Sequence, residues 1–296
     1  MEKLLSSLKN ITEYQVLLKA LSDKESAAVT GIGQINRSHL IAGLRSETAV
    51  PMVVIVQDDI AAKRLQQELK DFLGETFPVL PHRELTFYDA AGVSRSWEQK
   101  RLRQLWELAS GQTKLQILTW ESLSQRTMPR RVLMGAAFRL EVGCEYPLEE
   151  LIARLTAAGY SRCGMVEGPG QFAVRGGIVD IFSPAADHPV RAEFFGDELD
   201  TMGYFDASTQ RRTDNIDEAL ILPVSETQPA LHPEGLSGLC KDLKSLISRQ
   251  KRRKNVNEAL VDTLTKDLEK YENGLQNPAS DRYMALIYPE LTSAMD

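Results

Sequence analysis

Residues 167–206 read EGPGQFAVRGGIVDIFSPAADHPVRAEFFGDELDTMGYFD and contain two strand-like runs, Gln171–Phe182 and Pro189–Phe195. Because side chains alternate between the two faces of a strand, Val190, Ala192 and Phe194 share one face of the second run. That face suits a hydrophobic core. The opposite face combines a cation, an anion and an aromatic ring, a mixture that is typical of surfaces that bind another protein. Its residues are Arg191, Glu193 and Phe195.

The first run predicts the same arrangement. Phe172 and Val174 alternate with Ala173 and Arg175, so Arg175 is expected on the face opposite the core. Arg162 follows a predicted helix end and is expected near this face. The alternative is that these charged residues form ordinary surface salt bridges with one another. The residues alone leave both interpretations open.

Composition limits the class of protein. The chain has 296 residues, which is enough for two domains with separate cores. Its net charge of −6 argues against a dominant nucleic-acid surface but leaves room for a local basic patch. The cysteines and histidines show neither CxxC nor metal-ligand spacing, which argues against a disulfide framework and a zinc site. No segment resembles a signal peptide or a membrane span, so we expect a cytoplasmic protein without a membrane partner.

Helix-like and strand-like segments alternate over the first 130 residues. A helix is predicted over residues 11–28, and the apolar run Pro51–Val56 predicts a strand that is buried on both faces. This alternation indicates an α/β fold with a parallel sheet covered by helices. After Arg131, glycine-punctuated strands predict a smaller α+β domain, and residues 236–275 are predicted to be helical and strongly charged.

The segment Gly31–Ser38, GIGQINRS, was compared with the phosphate-binding loop G-x4-G-K-[ST]. Gly31 and Ser38 fit this pattern, but Asn36 replaces the second glycine and Arg37 replaces the lysine. The segment is interpreted as a working ATP site, as a plain turn between a strand and a helix, or as a decayed nucleotide loop. The two failed positions favour the plain turn over the working site.

Two basic segments and four aspartates are further candidates. The helix Trp97–Leu108 combines tryptophans with Lys100, Arg101 and Arg103, and Arg249–Lys254 reads RQKRRK. Either could contact nucleic acid, but we interpret the tryptophans as core residues and the cations as solvated faces. The aspartates have no histidine, cysteine or metal-ligand cluster near them in sequence, so we predict no catalytic residue, metal or cofactor. They are Asp180, Asp197, Asp200 and Asp206.

Several segments resemble, in collinear order, the N-terminal region of bacterial transcription-repair coupling factors (Mfd). They are RELTFYD (83–89), QRTMPRR (125–131), FAVRGGIVDIF (172–182), PVRAEFFGDELDTMGYFD (189–206), TQRRT (209–213) and DRYMALIYPE (281–290). That region is similar to the excision-repair subunit UvrB, and both families bind the damage-recognition protein UvrA. The resemblance implies that Arg162, Arg175, Arg191 and Glu193 contact UvrA, and strand alternation adds Phe195. UvrB has an arginine where Ala173 stands here, which implies a weaker contact.

The resemblance also implies a domain division. Residues 1–130 are expected to form the first part of a degenerate helicase-like (RecA-like) domain, residues 131–225 an inserted UvrA-binding domain, and residues 226–296 a truncated helical start of the remaining first domain. UvrB has an intact phosphate loop and a long hairpin after its YD motif, whereas Tyr88–Asp89 is followed here by a short segment. We therefore expect a non-catalytic UvrA-recruiting fragment, in which RNA polymerase and DNA are bound only by absent parts. The alternative is an ATP-dependent, UvrB-like DNA-processing domain.

Overall fold

The structure is a computed structural model that describes residues 2–83, 96–184, 186–275, 277, 279–290 and 292–296, without the side chains of residues 2, 3 and 96. The chain divides into two compact units. Unit 1 comprises Met1–Arg83 and Glu107–Gln125, and unit 2 takes the described residues of Glu84–Trp106 and Arg126–Asp296. The predicted boundaries at residues 130 and 225 stay a prediction. The motif at 83–89 and the segment after Tyr88–Asp89, which is predicted to be too short for the UvrB hairpin, lie almost entirely outside the described residues.

The helices follow one another along both units. They are α1 (Glu2–Ser7), α2 (Thr12–Ser22), α3 (Gln34–Glu47), α4 (Asp59–Leu73), α5 (Ser96–Ala109), α6 (Trp120–Ser124), α7 (Arg130–Ala136), α8 (Leu148–Ala157), α9 (Gly235–Lys251), α10 (Glu258–Glu272) and α11 (Met284–Ile287).

The strands form three sheets. They are β1 (Met52–Val56), β2 (Val79–Leu80), β3 (Leu115–Thr119), β4 (Phe138–Glu141), β5 (Ser161–Arg162), β6 (Gln171–Arg175), β7 (Ile178–Ile181), β8 (Val190–Phe195), β9 (Glu198–Phe205), β10 (Arg212–Asn215) and β11 (Glu218–Ile221).

Unit 1 contains a parallel sheet with the order β1-β3-β2, as the alternating pattern predicts. Helix α4 packs against this sheet through Leu65 and Leu69, and Asp58 caps its first turn by accepting a hydrogen bond from the Ala61 N–H at 2.8 Å. The prediction that the 51–56 strand is buried on both faces is wrong. β1 lies at the edge of the sheet, so Val53 and Ile55 are exposed, whereas the central strand β3 is buried throughout.

The first predicted helix is shorter than expected. It extends over Thr12–Ser22 and not to residue 28, and Lys24 follows it in the left-handed region with φ of 58°. A lysine side chain is unfavourable in that conformation, and a backbone in it cannot continue a right-handed helix. Residues 25–30 therefore contain neither helix nor strand.

Unit 2 is built around an antiparallel sheet with the order β10-β9-β8-β7-β6, to which β5 adds in parallel at one edge. Helix α8 and the β4–β11 pair cover one face of it, where Leu151, Leu155 and Leu140 pack against Phe172 and Val179. The α+β character predicted for this region is therefore confirmed. The alternation predicted for β8 is also confirmed, because its alternate residues Val190 and Ala192 are buried and Phe194 packs against the same core.

The run Gln171–Phe182 forms two strands and not one. β6 and β7 are joined by a two-residue turn at Gly176 and Gly177, and Gly176 has a φ of +60°. A side chain at Gly177 would come within 2.7 Å of the Phe194 carbonyl oxygen, since β8 packs closely against this turn. The turn sets the register that places Ala173 opposite Asp180.

One residue of the basic helix α5 contradicts the interpretation of its cations as a solvated face. Trp106 is buried, as expected of a core residue, but Arg101 is also fully buried and is not part of a solvated face. Its Nε lies 2.8 Å from Glu226 Oε2, and both side chains are almost inaccessible. The charge is tolerated inside the protein because it is paired with a carboxylate. Among the helices of the described ranges, none is long and apolar enough to cross a membrane.

Candidate protein-docking site

The second face of the six-stranded sheet carries the predicted charged residues. In strand register, Asp180 of β7 lies between Ala173 of β6 and Arg191 of β8. One row closer to the hairpin ends, Ile178 of β7 lies between Arg175 of β6 and Glu193 of β8. We call this face the β6–β8 charged face.

Asp180 is the centre of the β6–β8 charged face. Its side chain is 0% exposed, and its two carboxylate oxygens accept hydrogen bonds from Arg191 Nε at 2.7 Å and Arg191 Nη2 at 2.9 Å. The Arg191 guanidinium also lies over the Phe205 ring, 4.7 Å from its centroid. These hydrogen bonds from Arg191 to Asp180 raise the pKa of Arg191 above its usual value, so it stays charged. Arg191 therefore neutralises a buried carboxylate and is only 17% exposed.

Arg175 reaches the same carboxylate but remains accessible. Its Nη2 donates to Asp180 Oδ2, while 48% of its side chain is exposed. Under the salt-bridge alternative, Arg191 would pair with Glu193, but each pairs with another residue: Glu193 Oε1 accepts a hydrogen bond from Arg212 Nη1 at 2.7 Å. Arg175 is therefore the arginine of this cluster that is best placed to contact another protein.

Ala173 is buried, and so it does not contribute to an exposed surface. It packs in a small apolar cluster with Val166 and Phe205.

Gly203 of β9 lies opposite Arg191 of β8 in the sheet. A side chain at Gly203 would meet the Asp214 carbonyl oxygen at 2.7 Å and the Arg212 guanidinium. Its missing side chain lets Arg212 extend over β9 towards Glu193.

A tight turn after β9 supports Arg191. The Asp206 carboxylate accepts hydrogen bonds from both the backbone N–H and the hydroxyl of Ser208 and of Thr209. The turn holds Gln210 with a φ of 61°, and the Gln210 carbonyl oxygen accepts a hydrogen bond from Arg191 Nη1 at 3.3 Å. Sequence reasoning did not find this support, although Asp-x-Ser-Thr is a pattern typical of side-chain-stabilised turns.

The turn has a measurable pH signature. Hydrogen bonds from Ser208 and Thr209 lower the pKa of Asp206 to about 2 from 3.8. Because the folded value lies below the unfolded one, the stabilisation is present above the unfolded pKa and is lost as the pH falls through about 2. We expect a carboxyl NMR titration of Asp206 to give a midpoint near 2.

The double variant Ser208→Ala/Thr209→Val is the control for that titration, since it removes the hydroxyl donors and should return the midpoint towards about 3.9. A midpoint in the wild-type chain that matches the double variant would contradict the hydrogen-bonding pattern of this turn.

Phe195 is the exposed aromatic residue of the site. It ends β8 and is 84% exposed, directly before the two-residue turn at Gly196 and Asp197. Gly196 has a φ of +66°, as a type II′ hairpin turn requires at its first position. The Tyr146 N–H donates to the Asp197 carbonyl oxygen at 2.7 Å and fixes the turn from the neighbouring segment. A rigidly held aromatic side chain loses little conformational entropy when it binds a partner.

Arg162 lies apart from the cluster. It is exposed on the edge strand β5, where its register with Phe172 places it on the sheet face opposite Arg175 and Arg191. The structure therefore brings Arg175, Arg191 and Glu193 onto one face and does not bring Arg162 onto it.

The predicted nucleotide segment forms a turn and the start of α3. Gly31 has a φ of +75°, Gly33 caps the helix, and Asn36 and Arg37 lie in its first turn. Ser38, whose counterpart in a phosphate loop would hold magnesium, is buried and donates a hydrogen bond to Glu68. Helix α3 is preceded by irregular backbone, so residues 29–33, predicted to be a strand end or a turn, contain no strand. Across the part of the chain that the structure describes, no group of acidic, histidine or cysteine side chains is arranged to hold a metal ion.

Comparisons with known proteins identify the segment that carries the site. Residues 138–226 match the family model of the UvrB interaction domain. The transcription-repair-coupling factor of Myxococcus xanthus is 32% identical over 204 residues, which cover 66% of this chain and 17% of that protein. The factor of Bacillus subtilis is 24% identical over 100% of this chain and 25% of that protein, and the factor of Escherichia coli is 30% identical over 63% and 16%. The chain spans about a sixth to a quarter of the length of these relatives.

The matched segment identifies the chain as one that carries a UvrB interaction domain. This domain contains the whole β6–β8 charged face and Phe195. In sequence the chain is similar to transcription-repair-coupling factors, and the match to the factor of Bacillus subtilis extends over the whole length of this chain.

Proposed function

We propose that this chain is a non-catalytic module that recruits UvrA and so links RNA polymerase stalled at DNA damage to nucleotide excision repair. The proposal rests on two accessible side chains, a half-exposed Arg175 and an exposed Phe195. Both are held on hairpins of the segment that matches the UvrB interaction domain. In this role the module presents to UvrA a surface that mimics that of UvrB.

The residues of this surface have two roles, contact with the partner and support of the sheet. Arg175 and Phe195 are accessible and supply contacts to the partner, an ion pair and an apolar anchor respectively. Arg191 is tied to the buried Asp180 and holds the sheet face in shape. We therefore expect the matching surface of UvrA to offer a carboxylate to Arg175 and an apolar pocket to Phe195. Arg162 lies on the other sheet face and contributes to binding only if UvrA wraps around the β5 edge.

Unit 1 fits the proposal as a degenerate helicase-like domain. Its parallel sheet and the glycine turn before α3 are what such an ancestry would leave. The side chains argue against working ATP chemistry, because Asn36 and Arg37 replace the residues that a phosphate loop needs and Ser38 is bonded to Glu68. In the longer relatives, contact with RNA polymerase and DNA translocation would then belong to other regions, and the cytoplasm is the expected compartment.

Calorimetric titrations of the full chain distinguish recruitment from the alternative, an ATP-dependent DNA-processing domain. UvrA is expected to give saturable binding heat, whereas magnesium-ATP is expected to give none in the micromolar range because Ser38 is engaged with Glu68. Micromolar ATP affinity that Arg37→Ala abolishes would contradict the non-catalytic role. Absence of UvrA binding by the folded chain would refute recruitment.

A further inference from the structure

A long open groove in unit 2 lies outside the segment that matches the UvrB interaction domain. It has a volume of about 1030 Å³ and is lined mainly by α9, with Tyr271 and Glu272 of α10 on the other side. The α9 wall carries both cations and hydroxyls. These residues are Lys241, Lys244, Ser245, Ser248, Arg249 and Arg252.

The segment that supplies the lining cations Lys241, Lys244, Arg249 and Arg252 is opposite in charge to the rest of the chain. Residues 241–254 hold seven lysines and arginines and one aspartate, a net charge of +6 in a chain whose total is −6. The remaining residues therefore carry −12. Such an asymmetry produces a local positive potential that the acidic composition of the whole chain conceals.

Part of the positive charge is unneutralised. Lys244 Nζ lies 2.7 Å from Glu272 Oε1, and Lys241 Nζ lies 3.6 Å from Glu234 Oε2. Arg249 and Arg252 are exposed and form no salt bridge with any side chain in the described ranges. The end of α9 that they occupy is the negative end of the helix dipole, so their position favours the helix as well. The groove nevertheless keeps two free guanidinium groups beside serine hydroxyls.

The spacing of these residues fits a repeating anion. Lys241, Ser245, Ser248 and Arg252 recur every three or four residues and therefore form one stripe along the helix. From Lys241 to Arg252 this stripe is about 16 Å long at a rise of 1.5 Å per residue. Arginine, lysine and serine side chains are the usual donors to phosphate oxygens of a nucleic-acid backbone. Phosphates of one DNA strand advance about 3.4 Å per residue along the helix axis, so the stripe can follow several of them.

The aromatic content of the groove favours a duplex over a single strand. Single-strand binding surfaces present accessible aromatic rings on which bases stack. Tyr271 is buried, and its hydroxyl is 2.8 Å from Ser280 Oγ. The groove therefore offers contacts to phosphates and no stacking platform.

We propose that the α9 groove binds the phosphodiester backbone of duplex nucleic acid without sequence preference. This departs from the expectation, drawn from the sequence, that DNA is bound only by regions outside this chain. The groove would hold DNA near the UvrA-recruiting domain, and its binding is independent of the β6–β8 charged face.

Fluorescence anisotropy of the full chain with a labelled mixed-sequence duplex of about 20 base pairs tests the proposal, at about 50 and 200 mM salt. The wild-type chain is expected to bind with strong salt dependence. Arg249→Glu/Arg252→Glu should weaken binding at least tenfold at the lower salt, and Arg249→Gln/Arg252→Gln should reduce the slope of log K against log salt by about 2.

Lys63→Glu/Arg64→Glu on the exposed surface of α4 is the control, because it changes net charge equally outside the groove. It should leave most of the affinity, and far-UV circular dichroism checks the fold of each variant. Absence of salt-dependent binding by the wild-type chain would overturn the proposal, as would equal losses in the groove and control variants. Displacement of the duplex by polyglutamate at equal charge concentration would assign the groove to an acidic protein segment instead.

Discussion

Asp180→Ala is expected to lower the free energy of unfolding of unit 2 by about 3–5 kcal/mol, the typical cost of removing one partner of a buried ion pair. Asp180 is 0% exposed and accepts two hydrogen bonds from Arg191, which is itself largely buried. Without the carboxylate, the Arg191 guanidinium would stay desolvated with the Phe205 ring and a single carbonyl as its remaining contacts. Urea unfolding of the full chain, followed by far-UV circular dichroism, measures the loss.

Two variants make this result specific. Asp200→Ala removes an exposed aspartate of the neighbouring strand and should change the free energy of unfolding by less than about 0.5 kcal/mol. Arg175→Gln removes a half-exposed partner of Asp180 and should cost no more than about 1 kcal/mol, since the bidentate pair with Arg191 remains. If Asp180→Ala were as stable as Asp200→Ala, the buried pair would not stabilise this sheet. Amide hydrogen exchange should locate the loss in β6 to β9.

The period-two pattern of the sequence was sufficient to predict the core side of the sheet. Val190, Ala192 and Phe194 are apolar and share one face of β8. Because the hydrophobic effect is non-directional, alternation alone identifies the face that packs against the core. The parallel sheet of unit 1 was predictable for a similar reason, because strands and helices alternate along the chain.

The pairing of charges was not predictable from one strand. Alternation places Arg191 and Glu193 on the same face and makes them natural partners, yet Arg191 pairs with Asp180 of β7 and Glu193 pairs with Arg212 of β10. Cross-strand neighbours depend on register, and register depends on the Gly176–Gly177 turn. A two-residue Gly-Gly loop is a recognised hairpin signal, and its use would have aligned Ala173 with Asp180.

Burial of single residues also depended on tertiary position. β1 has the composition of a fully buried strand, but its place at the sheet edge leaves Val53 and Ile55 exposed. Arg101 belongs to a helix with several cations, and its burial depends on pairing with Glu226, which lies 125 positions away in sequence. Neither outcome is encoded within the segment itself.

The role of Arg191 determines which variant tests UvrA recruitment. A charge reversal at Arg191 would place a carboxylate beside the buried Asp180, so lost binding would report a damaged sheet as readily as a lost contact. The same difficulty weakens a reversal at Arg175, since its guanidinium donates to the same carboxylate. A test of docking therefore needs a side chain that the fold does not use.

Phe195→Ala meets that requirement and is expected to weaken UvrA binding about 30-fold, which corresponds to ~2 kcal/mol for the loss of an aromatic anchor. The side chain is 84% exposed, so the unfolding free energy should stay within about 0.5 kcal/mol of the wild-type value. The hairpin that carries it is fixed by backbone contacts at Asp197 and Glu198, which the substitution leaves in place. Surface plasmon resonance with immobilised UvrA measures the affinity, and the change should appear mainly in the dissociation rate.

Ile60→Ala is the matched control, because Ile60 is a comparably exposed apolar side chain on α4 of unit 1. Its loss should leave UvrA binding unchanged if docking is confined to the β6–β8 charged face and Phe195. Equal affinities for wild type, Phe195→Ala and Arg175→Gln would refute this face as the docking site. A loss in Phe195→Ala alone would assign the binding energy to the aromatic anchor and restrict Arg175 to its contact with Asp180.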